Sequence, residues 1–372
     1  MRAPGAAITL AGFLVVPGLL AAQAAATTEA ALKLTGWAEA SYAYSRHSAG
    51  DTMIVGRLYD RLQNRFALNA FGVVLDKAYD PTKRSAGFHA EFLFGQDATV
   101  IKSGGGAIDL GTQADIPHLY VTLNLPTANG SGVQFKAGRI PTLLGLEVIE
   151  TTGNPNWSEG NQFIYVENFT AVGVSVETKL NRYVDVQLRV INGWDQVSDN
   201  NKRKSLMGRI GISPDTLTSV GITGFWGPEE TGNDNANRYG VEALLSRKLG
   251  SAQLWLQGDY GREQANAALP TPTQDAEWWA IGGWVSYAVN TSVGLALRGD
   301  YVNDANGARS SGSMGFPVNA GHKFGSATAT LNIHAWPNAV LRPELRYDRS
   351  TLAAFDARKD QVSVALGLAY LY

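Results

Sequence analysis

The last strand-length stretch of the chain alternates strictly: Val362, Val364, Leu366, Leu368, Tyr370 and Tyr372 fall on one face of an extended backbone, with Ser363, Ala365, Gly367 and Ala369 on the other. Wound into a helix, these residues would scatter their apolar groups around the circumference, so the pattern specifies a two-faced strand. Tyr183 to Asn192 repeats it, with Val184, Val186, Leu188 and Val190 against Asp185, Gln187 and Arg189. So does Leu341 to Asp348, where Leu341, Leu345 and Tyr347 oppose Arg342, Glu344, Arg346 and Asp348. Sixteen segments of this kind follow one another, near 32–45, 62–76, 86–96, 115–125, 131–140, 169–179, 182–193, 203–213, 216–226, 236–247, 250–261, 276–288, 291–302, 321–335, 337–348 and 360–372.

The connections between them come in two kinds. Even-numbered segments mostly end in tight turns, such as Leu180-Asn181, Pro214-Asp215, Leu249-Gly250, Asn290 and Trp336-Pro337, although the second and fourth turns are longer. Odd-numbered segments end in long polar loops, such as Arg46 to Arg61, Pro141 to Asn168, Arg262 to Asp275 and Asn303 to Ala320. One short rim and one long rim is the plan of a bacterial membrane barrel, short side periplasmic and long side outside, and an even strand number leaves both termini in the periplasm. The expected fold is all-β: a transmembrane antiparallel β-barrel of about 16 strands, with 14 or 18 also compatible with the spacing. A tilted crossing strand needs about 9–11 residues, and the turns and loops take the rest. A soluble sandwich or propeller is the competing reading, but such folds rarely keep one rim short over so many hairpins.

Composition fits a barrel better than a soluble enzyme. Gly (41), Tyr (14) and Trp (9) are abundant, charged residues make up only 17%, and the mean hydropathy is −0.11. Alternating lipid-facing and water-facing positions keeps the average near zero while one face is wholly apolar. There is no cysteine, so disulfide and thiolate-metal chemistry are excluded, and a net charge of −2 shows no basic excess for nucleic acid. At the N-terminus, Arg2 precedes an apolar run from Ala6 to Ala22, broken by Pro17 and ending in small residues around Ala22-Gln23-Ala24. That is the layout of a cleaved secretory signal over residues 1–24, leaving 25–372 as one barrel domain, since no linker divides it.

If the apolar faces meet lipid, the opposite faces line a bore. The polar phase of the strands carries Glu39, Arg65, Asn69, Glu91, Lys136, Glu177, Asp185, Arg189, Arg209, Arg238, Glu242, Asp259, Arg298, Asp300, Arg342, Glu344, Arg346 and Asp348. Charge at membrane depth is tolerated where it meets water or other charge, and crossed pairs such as Arg298 with Asp300 or Arg342 with Glu344 would stiffen the wall. About sixteen strands enclose an aqueous channel where eight would be filled by their own side chains. With both signs present in similar numbers, no strong ion preference follows.

The connection from 141 to 168 begins apolar (Leu143, Leu144, Leu146, Val148, Ile149) and carries Glu147, Glu150 and Glu159, with Glu167 at its end. Such a loop is unfavourable in water; folded into the bore, its leucines would pack on the wall and its glutamates would face the solute as a constriction. Packing over the rim as a lid is the alternative. Trp226, Trp255, Trp278, Trp279, Trp284, Tyr287, Tyr301, Tyr347, Tyr370 and Tyr372 lie mostly near strand ends, as interfacial girdles would, although Trp255 and one phase of Trp278 and Trp284 could instead offer sugars a stacking surface in the lumen.

Catalytic patterns are missing. The histidines (His47, His89, His118, His322, His334) lack metalloprotease spacing, and there is neither a Gly-x-Ser-x-Gly elbow nor a phosphate-binding Gly-rich loop. His89 and His118 fall on adjacent strands, where wall residues are commoner than bases. Asn233-Asp234-Asn235 and Asn303 to Gly307 are incomplete as calcium loops and suit turns better.

The stretch Gly138-Arg139-Ile140-Pro141-Thr142, then Gly145-Leu146-Glu147-Val148-Ile149, Asn154, Asn156-Trp157-Ser158, Phe163 and Gly173 resembles the OmpL-like β-barrel porins of Gram-negative bacteria. Asn64 to Asn69 is similar to that family's second-strand pattern, and the final Tyr372 to the residue that the barrel-assembly machinery reads. The resemblance implies passive diffusion of small polar solutes or ions across the bacterial outer membrane, and no catalytic residues. Expected partners are outer-membrane lipid, lipopolysaccharide, the assembly machinery, small polar solutes and two further copies in a homotrimer, with no cofactor, metal or nucleic acid. A channel specific for one sugar or organic acid, and a non-conducting scaffold or adhesin, are the competing functions; an outer-membrane phospholipase would need serine, histidine and a polar partner together on the lipid-facing rim.

Overall fold

The computed structural model describes residues 31–372 apart from 48–52, 102–112, 129, 268, 270 and 272–273, so the expected leader lies outside the described residues. Sixteen antiparallel strands are present: β1 (Lys33–Ser45), β2 (Arg65–Lys77), β3 (Ser85–Phe94), β4 (Ala114–Leu125), β5 (Val133–Pro141), β6 (Thr170–Lys179), β7 (Val184–Ile191), β8 (Ser205–Ile212), β9 (Thr218–Pro228), β10 (Asn237–Leu249), β11 (Ala252–Glu263), β12 (Ala276–Ala288), β13 (Val293–Asp304), β14 (His322–Trp336), β15 (Ala339–Ser350) and β16 (Asp360–Leu371). Each bonds to its neighbours in sequence, and β1 pairs with β16 to close the ring. Closure leaves no edge, which is how a sheet survives in lipid without unpaired amides.

The outer face is the apolar phase: Leu188, Leu256, Ile281, Leu297, Leu345, Val364 and Leu366 are exposed, while flanking residues such as Gln187, Arg189, Gln257, Arg298, Glu344 and Ser363 are buried. Of the aromatic residues expected in girdles, Trp226, Trp279, Tyr287, Tyr301, Tyr347, Tyr370 and Tyr372 are exposed. Trp255, Trp278 and Trp284 are not; they take the inward phase and are at most 3% exposed. The outward phase makes a testable statement. Leu256→Arg, in the middle of β11, should destabilise the barrel in lipid vesicles by about 2–4 kcal/mol, measured as a shift in the denaturant midpoint, because an Arg at the midplane faces hydrocarbon.

The seam depends on small residues. Tyr372 exchanges backbone hydrogen bonds with Gly36 at 3.0 Å, and its hydroxyl donates to the Gly72 carbonyl at 3.2 Å. A Cβ on Gly36 would stand 2.3 Å from that hydroxyl, so the C-terminal ring packs across the seam only because Gly36 has no side chain.

Candidate constriction inside the barrel

The connection between β5 and β6 starts where Pro141 and Thr170 are register partners, and Thr142 Oγ1 donates to Asn168 Oδ1 at 2.7 Å, so its two ends are pinned together. Phe169 and Thr170 also donate their amides to Asp195, in the loop after β7, at 2.7 and 3.0 Å. Burial pushes the Asp195 carboxyl up to about 6, against the pull of those two amides. With its root fixed, the segment turns inward because its apolar residues have a dry place to go: Leu143 and Leu144 pack with Ile140, Ile191, Met207 and Phe225, and Leu146 with Trp255 and Trp284.

Inward-facing strand residues then receive the segment's backbone. Gly145 N donates to Glu242 at 2.6 Å and Leu146 N to Gln257 at 3.1 Å. Glu147 accepts from Arg298 Nη1 at 2.8 Å, from Trp284 Nε1 at 3.1 Å and from Gly160 N at 2.5 Å. Thr151 donates its hydroxyl to Glu39. Arg342 donates to the carbonyls of Thr151 and Asn154 at 2.7 Å and of Pro155 at 3.0 Å. Glu344 accepts from the amides of Trp157 at 2.8 Å and Ser158 at 3.1 Å, and Arg346 Nη1 donates to the Glu159 carbonyl at 2.7 Å. A short helix, α1 (Asn161–Tyr165), ends the crossing: Asn161 Nδ2 donates to Asp300 and Gln162 Nε2 to Asp259, both at 2.5 Å. Two wall glycines make room, since a Cβ would come within 2.3 Å of the Trp157 ring at Gly367 and 1.8 Å of Gln162 at Gly282.

The crossing runs from wall to opposite wall. Glu147 holds Trp284 on β12, whereas Glu150, three residues on, reaches His118 Nδ1 on β4 at 3.5 Å. β4 and β12 stand half the ring apart. The segment therefore bridges the bore rather than lying on one side of it.

Among the anticipated bore residues, all take the inward phase, but their surroundings differ. Arg65 sits at the start of β2 and is exposed. Glu39, Glu91, Arg189, Glu242, Arg298, Asp300, Arg342, Glu344 and Arg346 are buried against the crossing segment or one another. Arg189 gives Nη1 to the Pro141 carbonyl at 2.5 Å, and Arg238 pairs with Glu263 at 2.7 Å. Lys136 pairs with Glu177 at 2.7 Å and Asp185 with Arg209 at 2.7 Å; Lys136 and Asp185, near the short-turn ends of β5 and β7, keep 22% and 19% of their side-chain surface.

Three expectations need correction. Arg298 does pair with Asp300, at 3.4 Å, but Arg342 does not pair with Glu344: the guanidinium caps loop carbonyls and the carboxylate holds loop amides, because both point into a protein segment instead of water. Glu147 and Glu159 do not face solute, being 1% exposed; among the described residues neither carboxylate oxygen of Glu159 bonds a side chain or amide of another residue, and of the three only Glu150 keeps appreciable exposure. The inward tryptophans lie under the loop and are no open stacking surface for sugars. A serine and histidine do meet, Ser350 Oγ and His322 Nδ1 at 2.8 Å, but on the inward face and buried, away from the lipid-facing rim.

Sequence reasoning missed a second inward segment, between β1 and β2. Ile54, Val55, Leu58 and Tyr59 are buried, and Arg57 lies 3.6 Å from Asp60 and 3.8 Å from Asp348 on the wall. The signal was there: two apolar pairs, Ile54-Val55 and Leu58-Tyr59, in a connection otherwise read as polar. Phe316 and Phe355, from two other long connections, close over Tyr165 and Trp278 in one cluster.

A sequence model of the family described as putative beta-barrel porin-2, OmpL-like, matches residues 31–371. Solved structures share the architecture at low identity. The outer membrane channel DcaP of Acinetobacter baumannii superposes with a TM-score of 0.63 at 12% identity, covering 93% of this chain and 99% of that one. An anion-selective porin from Comamonas acidovorans gives 0.61 at 14%, covering 92% and 100%. OmpT of Vibrio cholerae gives 0.60 at 11%, covering 93% and 99%. Identities this low speak for the fold alone. No curated protein matches the chain.

Proposed function

We propose a function from one premise: this chain belongs to the putative beta-barrel porin-2, OmpL-like family. It is a channel of the bacterial outer membrane. Small polar solutes and ions cross by passive diffusion, and residues 141–168 form the constriction they pass. The observation that carries this is the wall-to-wall bridge, with Glu147 on β12 and Glu150 on β4, which narrows a ring wide enough for water. Solutes would move along the side lined by Lys136, Asp185 and Arg209, where paired charges of both signs leave no strong preference for cations or anions. No reaction is assigned to the chain.

Purified protein in a planar bilayer should give stepwise, ohmic current. A silent bilayer from correctly folded protein would instead favour a scaffold or adhesin. The filling of the bore by two inward segments favours one refinement, a path narrow enough to select a solute class, and in that case one sugar or organic acid should block the current reversibly. A homotrimer is the assembly we favour, because a trimer form is described for OmpT of Vibrio cholerae, which shares this fold; cross-linking in native outer membranes should then give a species of three chains.

A further inference from the structure

We propose that His89, Glu91 and His118, joined by Glu150 from the bridging loop, bind a divalent cation of the zinc class. β3 and β4 carry the first three on the inward face, where the regular register sets Glu91 opposite His118 and a register shift follows at once, between Glu91 and Leu93. The potential ligand atoms of the three residues lie within 4.8 Å of one another. Glu91 Oε2 stands 2.8 Å from His118 Nδ1 and 3.8 Å from His89 Nε2, and Glu150 Oε1 stands 3.5 Å from His118 Nδ1. Ligands about 2.0–2.2 Å from a tetrahedral zinc ion are separated by roughly 3.3 Å, so small side-chain rotations bring these atoms to bonding distance.

Two further observations point to a ligand rather than to a plain ion-pair cluster. The second nitrogen of His89, Nδ1, is held by Asp76 Oδ1 at 3.2 Å, which is the carboxylate support that fixes the ring of a metal-bound histidine. Glu91 is 2% exposed, yet among the described residues no N–H or hydroxyl donor bonds its Oε1, and a buried carboxylate oxygen beside a second carboxyl, Glu150, is costly unless a cation satisfies it. Two imidazoles with two carboxylates suit zinc, nickel or copper; calcium and magnesium prefer all-oxygen sites. Access exists, since the His89 and Glu150 side chains keep 20% and 23% of their surface. An ion here would fasten the loop to β4, opposite its attachment to β12, and so stiffen the constriction; that consequence alone rests on the channel reading.

The test uses tag-free, full-length mature protein in detergent, stripped with EDTA and titrated with zinc chloride by calorimetry and with cobalt chloride by visible absorption. One equivalent should bind with micromolar or tighter affinity and give tetrahedral cobalt bands, unaffected by excess calcium or magnesium. His89→Gln and His118→Gln should each weaken binding at least about tenfold, and Asp76→Asn by about tenfold, as loss of an outer support does. The wild-type arm needs no variant, so misfolding cannot hide the answer: absence of zinc and cobalt uptake overturns the site, as does wild-type affinity kept in both histidine variants. Because binding is read without current, a silent channel would not disguise it. Zinc that binds but leaves the current unchanged in bilayers overturns the stiffening of the loop and keeps the site.

Discussion

Excising residues 143–168 and joining Thr142 to Phe169 through Asn-Gly is expected to raise single-channel conductance by about threefold or more, since current follows the free cross-section at the narrowest level. The hairpin can close, because Thr142 N already donates to the Phe169 carbonyl at 3.3 Å and an Asn-Gly pair supplies the two-residue turn that strand twist prefers. None of the sixteen strand pairings uses the excised residues, so the ring should survive. What it loses is the cover over Trp255, Trp284, Ile191 and Phe225, together with the partners of Glu242, Arg298, Arg342 and Glu344. In the widened bore those charges regain water, which softens the penalty for losing their protein partners. The check is conductance in bilayers, with heat-modified gel migration reporting that the barrel is intact. An intact barrel with unchanged conductance would mean that another segment, such as the one around Arg57, sets the narrow point.

The barrel itself was written locally. In Val362 to Tyr372 every second residue is apolar, and a period of two assigns each side chain to a face without knowledge of any partner. Short and long connections distinguished the two rims, and observed strand ends differ from expected ones by at most three residues, as at Arg65 in β2. The inward phase of the charged residues was legible for the same reason. What fills the space they face was not. Alternation shows that Arg342 and Glu344 point inward, but not that a segment nearly two hundred residues earlier arrives to take their hydrogen bonds, a fact decided by packing between distant parts of the chain. Trp255, Trp278 and Trp284 were ambiguous because an indole suits both a lipid interface and a dry interior. The burial of Ile54, Val55, Leu58 and Tyr59 was obscured because their two apolar pairs do not alternate with a period of two and stand in a connection that is otherwise polar. His89 and His118 read as wall residues; only the cross-strand register that sets Glu91 beside them, and the loop that brings Glu150, make a cluster.

Arg298→Ala is expected to release the bridge while leaving the ring in place. The guanidinium lies at the centre of the attachment: it bonds Glu147 at 2.8 Å, the Ser158 carbonyl, Thr328 Oγ1 at 3.1 Å, and lies 3.4 Å from Asp300, with its side chain fully buried. Removing it leaves Glu147 and Asp300 buried without the cation between them, and breaking one partner out of a buried pair costs about 3–5 kcal/mol. The cheapest escape is for Glu147 to move, because Asp300 is fixed on β13 and already takes hydrogen bonds from Ser326 N at 3.1 Å and Ser326 Oγ at 2.9 Å. Moving Glu147 withdraws Leu146 from Trp255 and Trp284 and opens the gap between the segment and β12. Expected readouts are larger open-channel noise, a mean current above wild type but below that of the excised form, and new proteolytic cleavage between Leu143 and Trp157. Glu344→Gln is the milder comparison: it keeps acceptor and shape for Trp157 and Ser158 while losing charge, so its noise should fall between wild type and Arg298→Ala. If Arg298→Ala conducts as quietly as wild type and resists the protease, the segment is held by its apolar contacts and not by this ion pair.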